Sequence, residues 1–259
     1  MKMKFYQVDA FTDKLFGGNP AAVIPLNVWP ENDLMQNIAA ENNLSETVFF
    51  VKENDEYHIR WFTPTVEVDL CGHATLASGY VVFNILDSGK EEIVFNSLSG
   101  KLTVTKEGDF ISLNFPSRRP VKTEINEQLK NAVSFDPKEA FFHTKYLCLL
   151  NNENEVRNAV PDFEIIKNLN SDGLIITAPG SDVDFVSRYF APHAGIPEDP
   201  VTGSAHTVLT PFWSERLNKK NLTARQVSGR GGYLKCEDLD DRVKISGKAV
   251  LYCKGEINI

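Results

Sequence analysis

Two short segments carry residue types at a spacing from which proton-transfer chemistry can be built. Asp69-Leu70-Cys71-Gly72-His73-Ala74-Thr75 opens one apolar stretch, and Glu198-Asp199-Pro200-Val201-Thr202-Gly203-Ser204-Ala205-His206 opens another. In each, a glycine stands at the start of a helix-like run. Glycine there lets the backbone approach a ligand, and the free N–H groups and positive dipole end of a helix form an anion site. Two such starts facing one cleft would grip a carboxylate and stabilise an enolate beside it. Gly72, Gly203 and Ser204 are therefore candidate substrate-binding residues. The plain alternative is that these residues only begin helices, with Ser204 or Asp199 as caps.

Glu46 is the candidate acid/base. It lies in Asn43-Leu44-Ser45-Glu46-Thr47-Val48-Phe49-Phe50, at the edge of an apolar strand, where a carboxyl group is partly withdrawn from water as general acid/base work requires. A surface carboxylate at a strand start is the bland alternative. Cys71 could act as a thiol base, but two-base racemases need a second thiol, and the equivalent position in the second segment is Thr202. Cys71 therefore reads as a small buried residue. His58, His143 and His193 lack the spacing of metal ligands, and neither an HExxH motif nor a phosphate- or dinucleotide-binding glycine loop is present. Gly17-Gly18-Asn19-Pro20 reads as a turn whose asparagine could face a ligand.

The elements that must position these residues occur twice. Arg60-Trp61-Phe62-Thr63-Pro64 resembles Arg188-Tyr189-Phe190-Ala191-Pro192, an offset of 188 − 60 = 128. Ser45-Glu46 with Ser171-Asp172, Gly72-His73-Ala74 with Gly203-Ser204-Ala205, and Ser99-Gly100 with Ser228-Gly229 follow in order at nearly the same offset. Such self-similarity implies two halves of one fold, related by a pseudo-two-fold axis, with a cleft between them lined by equivalent positions. The boundary is expected near residues 115–130, where Pro116, Arg118, Arg119 and Pro120 interrupt the strand pattern.

In the first half, Lys4–Val8, Thr47–Val51, Tyr57–Phe62, Lys101–Thr105 and Phe110–Phe115 read as strands. Pro30–Asn42 has helical spacing, with its proline in the first turn, and His73–Leu86 reads as a helix apolar on nearly every face and so buried all round. In the second half, Gly173–Thr177, Asp184–Phe190, Tyr233–Cys236, Arg242–Ile245 and Ala249–Cys253 read as strands, and Ser204–Leu217 as a helix kinked at Pro211. One buried helix among strands, twice, is the expected architecture.

The 259-residue chain is 42% hydrophobic and 24% charged, which fits a globular protein with a core, and its net charge of −8 argues against nucleic-acid binding. The four cysteines form no CxxC pair and read as reduced thiols. The opening residues carry no signal-peptide pattern, and no apolar run approaches membrane-spanning length, so a cytoplasmic enzyme without a membrane partner is expected.

At these motifs the sequence resembles the PhzF-like (phenazine biosynthesis-like) family, which has the diaminopimelate-epimerase-type fold. The resemblance rests on Asp9–Thr12, Gly18–Val23, Asn43–Thr47, Arg60–Pro64, Cys71–Thr75 and Glu198–His206, with a looser match around Gln226, Gly229 and Arg230. It implies an α+β fold of two pseudo-symmetric domains, residues 1–118 and 119–259, each a mixed β-barrel around a central helix. The N-terminal residues or the C-terminal tail are free to cross between them. It implies Glu46 as acid/base, with His73, Asp199 and Ser204 around the substrate. It also implies no cofactor, no metal, and a homodimer.

The expected function is that of a cofactor-independent isomerase acting on a small carboxylic acid. Glu46 would shift a proton, His73 could return it elsewhere, Asp199 would orient His73, and Asn19 would touch the substrate. The alternatives are an amino-acid racemase or epimerase, and a small-acid-binding protein without catalysis on the same fold.

Overall fold

The computed structural model describes residues 2–259. In its first part, strands β1 (Lys2–Ala10) and β2 (Asn19–Leu26) pair antiparallel, and helix α1 (Asn32–Asn42) leads to β3 (Glu46–Glu53), which runs parallel to β2. Then come β4 (Glu56–Phe62), β5 (Glu67–Val68), helix α2 (Gly72–Val81), β6 (Glu92–Ser97), β7 (Gly100–Glu107) and β8 (Phe110–Pro116). The pairings β3–β4, β4–β5 and β6–β7 are antiparallel, and β4–β6 is parallel. The C-terminal strand Ala249–Asn258 returns to pair antiparallel with β1 along its length, so the first compact unit ends at Asn114 and resumes with Ser246–Ile259.

Helix α2 packs on β1, β2, β3, β7 and the C-terminal strand. Its residues His73–Gly79 and Val81 are buried, because nearly every position is small or apolar. Leu76, Val81, Val82 and Phe83 are fully buried, each worth about 1.5–3 kcal/mol of transfer free energy. At Gly79 a methyl group would stand 3.0 Å from Cγ1 of Val104 and 3.3 Å from Cγ2 of Ile111, so glycine lets the helix lie this close to β7 and β8. The apolar run expected as one helix to Leu86 is α-helical only to Val81 and continues as a π-helical segment, Val82–Leu86.

Two local expectations are corrected. Pro30 lies outside α1, ahead of its N-cap Glu31, and takes no part in the first turn. Asn19 and Pro20 are not in the turn but begin β2. The turn before them closes at Gly18, whose φ is +63° and where a Cβ would come within 2.1 Å of the Ala10 carbonyl oxygen.

The second unit, Phe115–Ile245, repeats the pattern. Its strands are β9 (Val121–Thr123), β10 (Glu139–Phe142), β11 (Tyr146–Leu149), β12 (Leu174–Pro179), β13 (Phe185–Ala191), β14 (Ile196–Asp199), β15 (Asn221–Gln226), β16 (Gly232–Leu239) and β17 (Arg242–Gly247). Helices α3 (Glu127–Asn131), α4 (Glu153–Asn158) and α5 (Phe163–Lys167) precede the long α6 (Gly203–Leu217), which packs on β15 and β16. Here β11–β12 is parallel, β12–β13 and β13–β14 antiparallel, β13–β15 parallel and β15–β16 antiparallel. That is the order found for β2 through β7.

The resemblance reaches single side chains. Arg60 on β4 donates to Glu67 through Nε and Nη2, both at 2.7 Å, and lies over the Phe62 ring at 5.2 Å. Arg188 on β13 donates to Glu198 through Nε at 2.7 Å and Nη2 at 2.8 Å, and lies over the Phe190 ring at 5.0 Å. A planar two-pronged donor on a carboxylate locks each strand to the segment leading into its helix. The whole is a mixed α and β fold with few helices. Among the described residues, no helix is long and apolar enough to cross a membrane.

Candidate active site

In the first unit, four polar side chains converge at the start of α2. Helix α1 is capped by Asn43, in the left-handed conformation with φ 49°, and the chain then enters β3 with Glu46 as its first residue. Glu46 stands in register with Ala21 of β2, and this parallel pairing draws it under the sheet, 8% exposed. His73 is the second residue of α2 and 4% exposed. Its Nε2 lies 3.0 Å from Oε2 of Glu46. The two atoms are close without a well-directed hydrogen bond between them. On the other side of the ring, Nδ1 lies 3.1 Å from the amide nitrogen of Asn19 and 3.5 Å from Sγ of Cys71.

Burial alone would pull the His73 imidazolium down, but Cys71 and Glu46 together outweigh it and hold the ring well above its ordinary value. Burial pushes the Cys71 thiol up to about 11, and the Glu46 charge adds to this. The thiol is therefore neutral near pH 7.

Donor atoms of Glu46, Cys71 and His73 lie within 4.8 Å of one another, a set that could in principle hold a metal ion. The thiol faces Nδ1 and the carboxyl faces Nε2, however, so the two address opposite nitrogens of one ring. An imidazole with a carboxyl at one nitrogen and an amide and a thiol at the other can hold and pass a proton.

The N-cap residues, Cys71 of α2 and Thr202 of α6, make no side-chain capping hydrogen bond. The N-cap position of α6 is thus held by Thr202, not by Ser204 or Asp199. Gly72 is partly exposed, and Ser204 is the one partly exposed residue of the run Val201–Thr210.

In the second unit, Asp199 is the last residue of β14 and 7% exposed, and its Oδ2 accepts from Oγ1 of Thr202 at 2.5 Å. Gln226, which ends β15, ties this corner together. Its Oε1 accepts from the Thr202 N–H at 2.9 Å, and its Nε2 donates to the Asp199 carbonyl at 2.6 Å and to Oγ1 of Thr202 at 3.1 Å. Thr202 and Gln226 were not singled out as site residues from sequence. The available signal was a lone amide on the face of β15 that otherwise presents Leu222 and Ala224. His206, fully buried, has Nδ1 at 2.7 Å from the Thr202 carbonyl, and burial pushes it down to about 4, so it is neutral and structural.

None of these residues lines either of two surface cavities, of about 600 Å³ beside Leu26, Phe50 and Tyr57, and about 800 Å³ beside Val133, Val160 and Phe163.

Comparison with known proteins identifies the family and the fold. The sequence model of the family described as phenazine biosynthesis-like protein matches residues 8–255. The chain is similar, at 48% identity over the whole of both chains, to an uncharacterized isomerase of Pseudomonas aeruginosa. It superposes on the crystal structure of a phenazine biosynthesis protein of the PhzF family from Enterococcus faecalis with a TM-score of 0.98, 47% identity and full coverage of both. A hydroxyproline epimerase from Agrobacterium vitis shares the fold at 10% identity and a TM-score of 0.61, over 99% of this chain and 92% of the other.

Proposed function

Because the chain belongs to the phenazine biosynthesis-like family, whose relatives carry the name isomerase, we propose that it is an isomerase that moves a proton on a small carboxylic acid with Glu46 as the acid/base. The buried Glu46–His73 pair at the start of α2 carries this reading.

Glu46 removes a proton from a carbon next to, or conjugated with, the substrate carboxylate. The N–H groups at Gly72 and His73 and the positive end of α2 stabilise the resulting anion, because they are fixed before charge develops. Glu46 or His73 then returns the proton at another carbon. In the second unit, the start of α6, with Gly203 and Ser204, is the corresponding candidate for binding an acid, and Asp199, held by Thr202 and Gln226, for its polar contacts. Each unit is taken as a strand barrel closed around its helix. No step in this scheme calls for a metal or an organic cofactor.

An amino-acid racemase using Cys71 is the competing reading. The neutral, buried thiol weighs against it, since only a thiolate is an effective base. Cys71→Ala separates the two: it abolishes exchange in a thiol racemase, whereas here Glu46 still removes the proton. The proposal itself is tested by screening small carboxylic acids for thermal stabilisation, then following the hits by proton NMR in deuterated water. Enzyme-dependent deuterium incorporation with a change in double-bond position supports it. Exchange at the α-carbon of an amino acid, or tight binding without exchange, contradicts it.

A further inference from the structure

Asn19 is fully buried at the first position of β2, with its amide nitrogen 3.1 Å from Nδ1 of His73. What one imidazole nitrogen holds decides what the other presents. A carboxamide N–H directed at Nδ1 requires a bare lone pair there, which leaves the ring proton on Nε2. Nε2 is the nitrogen 3.0 Å from Glu46. A carboxamide can also turn and offer its oxygen, the acceptor that a doubly protonated ring needs at Nδ1. In both states Nε2 keeps its hydrogen on the Glu46 side. Cys71, 3.5 Å from the same Nδ1, is a weak donor and a weak acceptor and enforces neither state by itself.

The strand makes this placement obligatory. Asn19 pairs with Ala10 of β1, and Ala21, two residues on, stands beside Glu46 of β3. Even spacing along a strand puts Asn19 and Ala21 on one face, so one strand delivers both sides of the His73 contact. The titratable groups facing the ring are Glu46 from β3 and Cys71 from the segment ahead of α2. Asp9 on the neighbouring β1 accepts from the Phe16 N–H at 3.1 Å.

We propose that Asn19 is a positioning residue: its carboxamide holds Nδ1 of His73 so that Nε2 always presents an N–H to Glu46. The functional meaning of this rests on the acid/base reading above. With the other tautomer, a bare Nε2 lone pair would face the carboxyl oxygen, and His73 could neither stabilise the ionised carboxylate nor donate a proton.

The test is nitrogen-15 NMR of the full-length protein labelled at histidine, with the His73 signals identified by their loss in His73→Gln. Asn19→Asp supplies an acceptor only, and Asn19→Leu supplies neither group. In the unsubstituted protein Nε2 carries a proton throughout roughly pH 5–9. Nδ1 keeps its proton to higher pH in Asn19→Asp and loses it at lower pH in Asn19→Leu, each by about tenfold or more in proton affinity. Identical Nδ1 titration in all three proteins, or a bare Nε2 in the unsubstituted one, overturns the proposal. The second criterion needs no variant to fold. Because the readout requires no turnover, failure of the isomerase reading would leave this result intact, and failure here would leave the role of Glu46 standing.

Discussion

Nε2 of His73 lies 3.0 Å from Oε2 of Glu46, although one residue is the second of a helix and the other the first of a strand. This contact has a signed consequence for stability. The folded ring holds its proton more tightly than an unfolded one. Its contribution is therefore complete below the unfolded value of about 6.5 and is lost as pH rises through the raised folded value. His73→Gln should be less stable than the parent by about 1–3 kcal/mol near pH 6, and the gap should narrow as pH rises. Urea unfolding at several pH values measures this, and a constant gap would contradict it.

His206 titrates with the opposite sign. Burial pushes it down to about 4, so its contribution is present above the unfolded value and is lost as pH falls from about 6.5 towards 4. The two values place the full loss at roughly 3 kcal/mol. A His206→Leu protein should show a flatter loss of stability between pH 6.5 and 4.5 than the parent. Parallel curves would mean that acid sensitivity arises elsewhere.

Gln226 satisfies a backbone donor at Thr202 and a backbone acceptor at Asp199. Gln226→Leu leaves both buried groups without this partner and should cost about 2–5 kcal/mol in denaturant unfolding. A loss below about 0.5 kcal/mol would show that this corner is satisfied by other means.

Equivalent clamps should fail in equivalent ways. Lysine cannot reproduce the two-pronged contacts of Arg60 with Glu67 or of Arg188 with Glu198. Arg60→Lys and Arg188→Lys should each lose roughly 1–3 kcal/mol. Arg188→Lys should lose more, since the further contact of Arg188, to the Ala159 carbonyl at 2.7 Å, is part-buried, whereas that of Arg60, to Oδ1 of Asn32 at 2.9 Å, is exposed. Equal stability of both variants and the parent would remove the clamps from any account of the fold.

Much of this arrangement was legible in the sequence, for identifiable reasons. Glycine followed by an apolar run left few readings for Gly72 and Gly203 besides a buried helix start, and both begin helices. The two arginines matched in sequence also make matching contacts, Arg60 with Glu67 and Arg188 with Glu198. What escaped was set by contacts distant in sequence. The environment of Glu46 depends on the parallel pairing of β2 with β3, and that of Gln226 on the pairing with β13 that sets it opposite Ser187. Asn19 was read as part of a turn because its neighbours are turn formers. Only the left-handed Gly18 shows that the turn ends one residue sooner and that the asparagine enters a strand. The return of the C-terminal strand to β1 has no local signature at all.

The central claim is that the buried carboxyl of Glu46 moves the proton. The most direct measurement compares solvent-deuterium incorporation and turnover of an acid identified by the screen, in the parent and in Glu46→Gln, with analogue binding followed in parallel. One general acid/base group contributes about 10²–10⁴-fold in rate, so the variant should slow by that factor while binding the analogue normally. A Glu46→Gln protein that turns over at the parent rate would contradict the account.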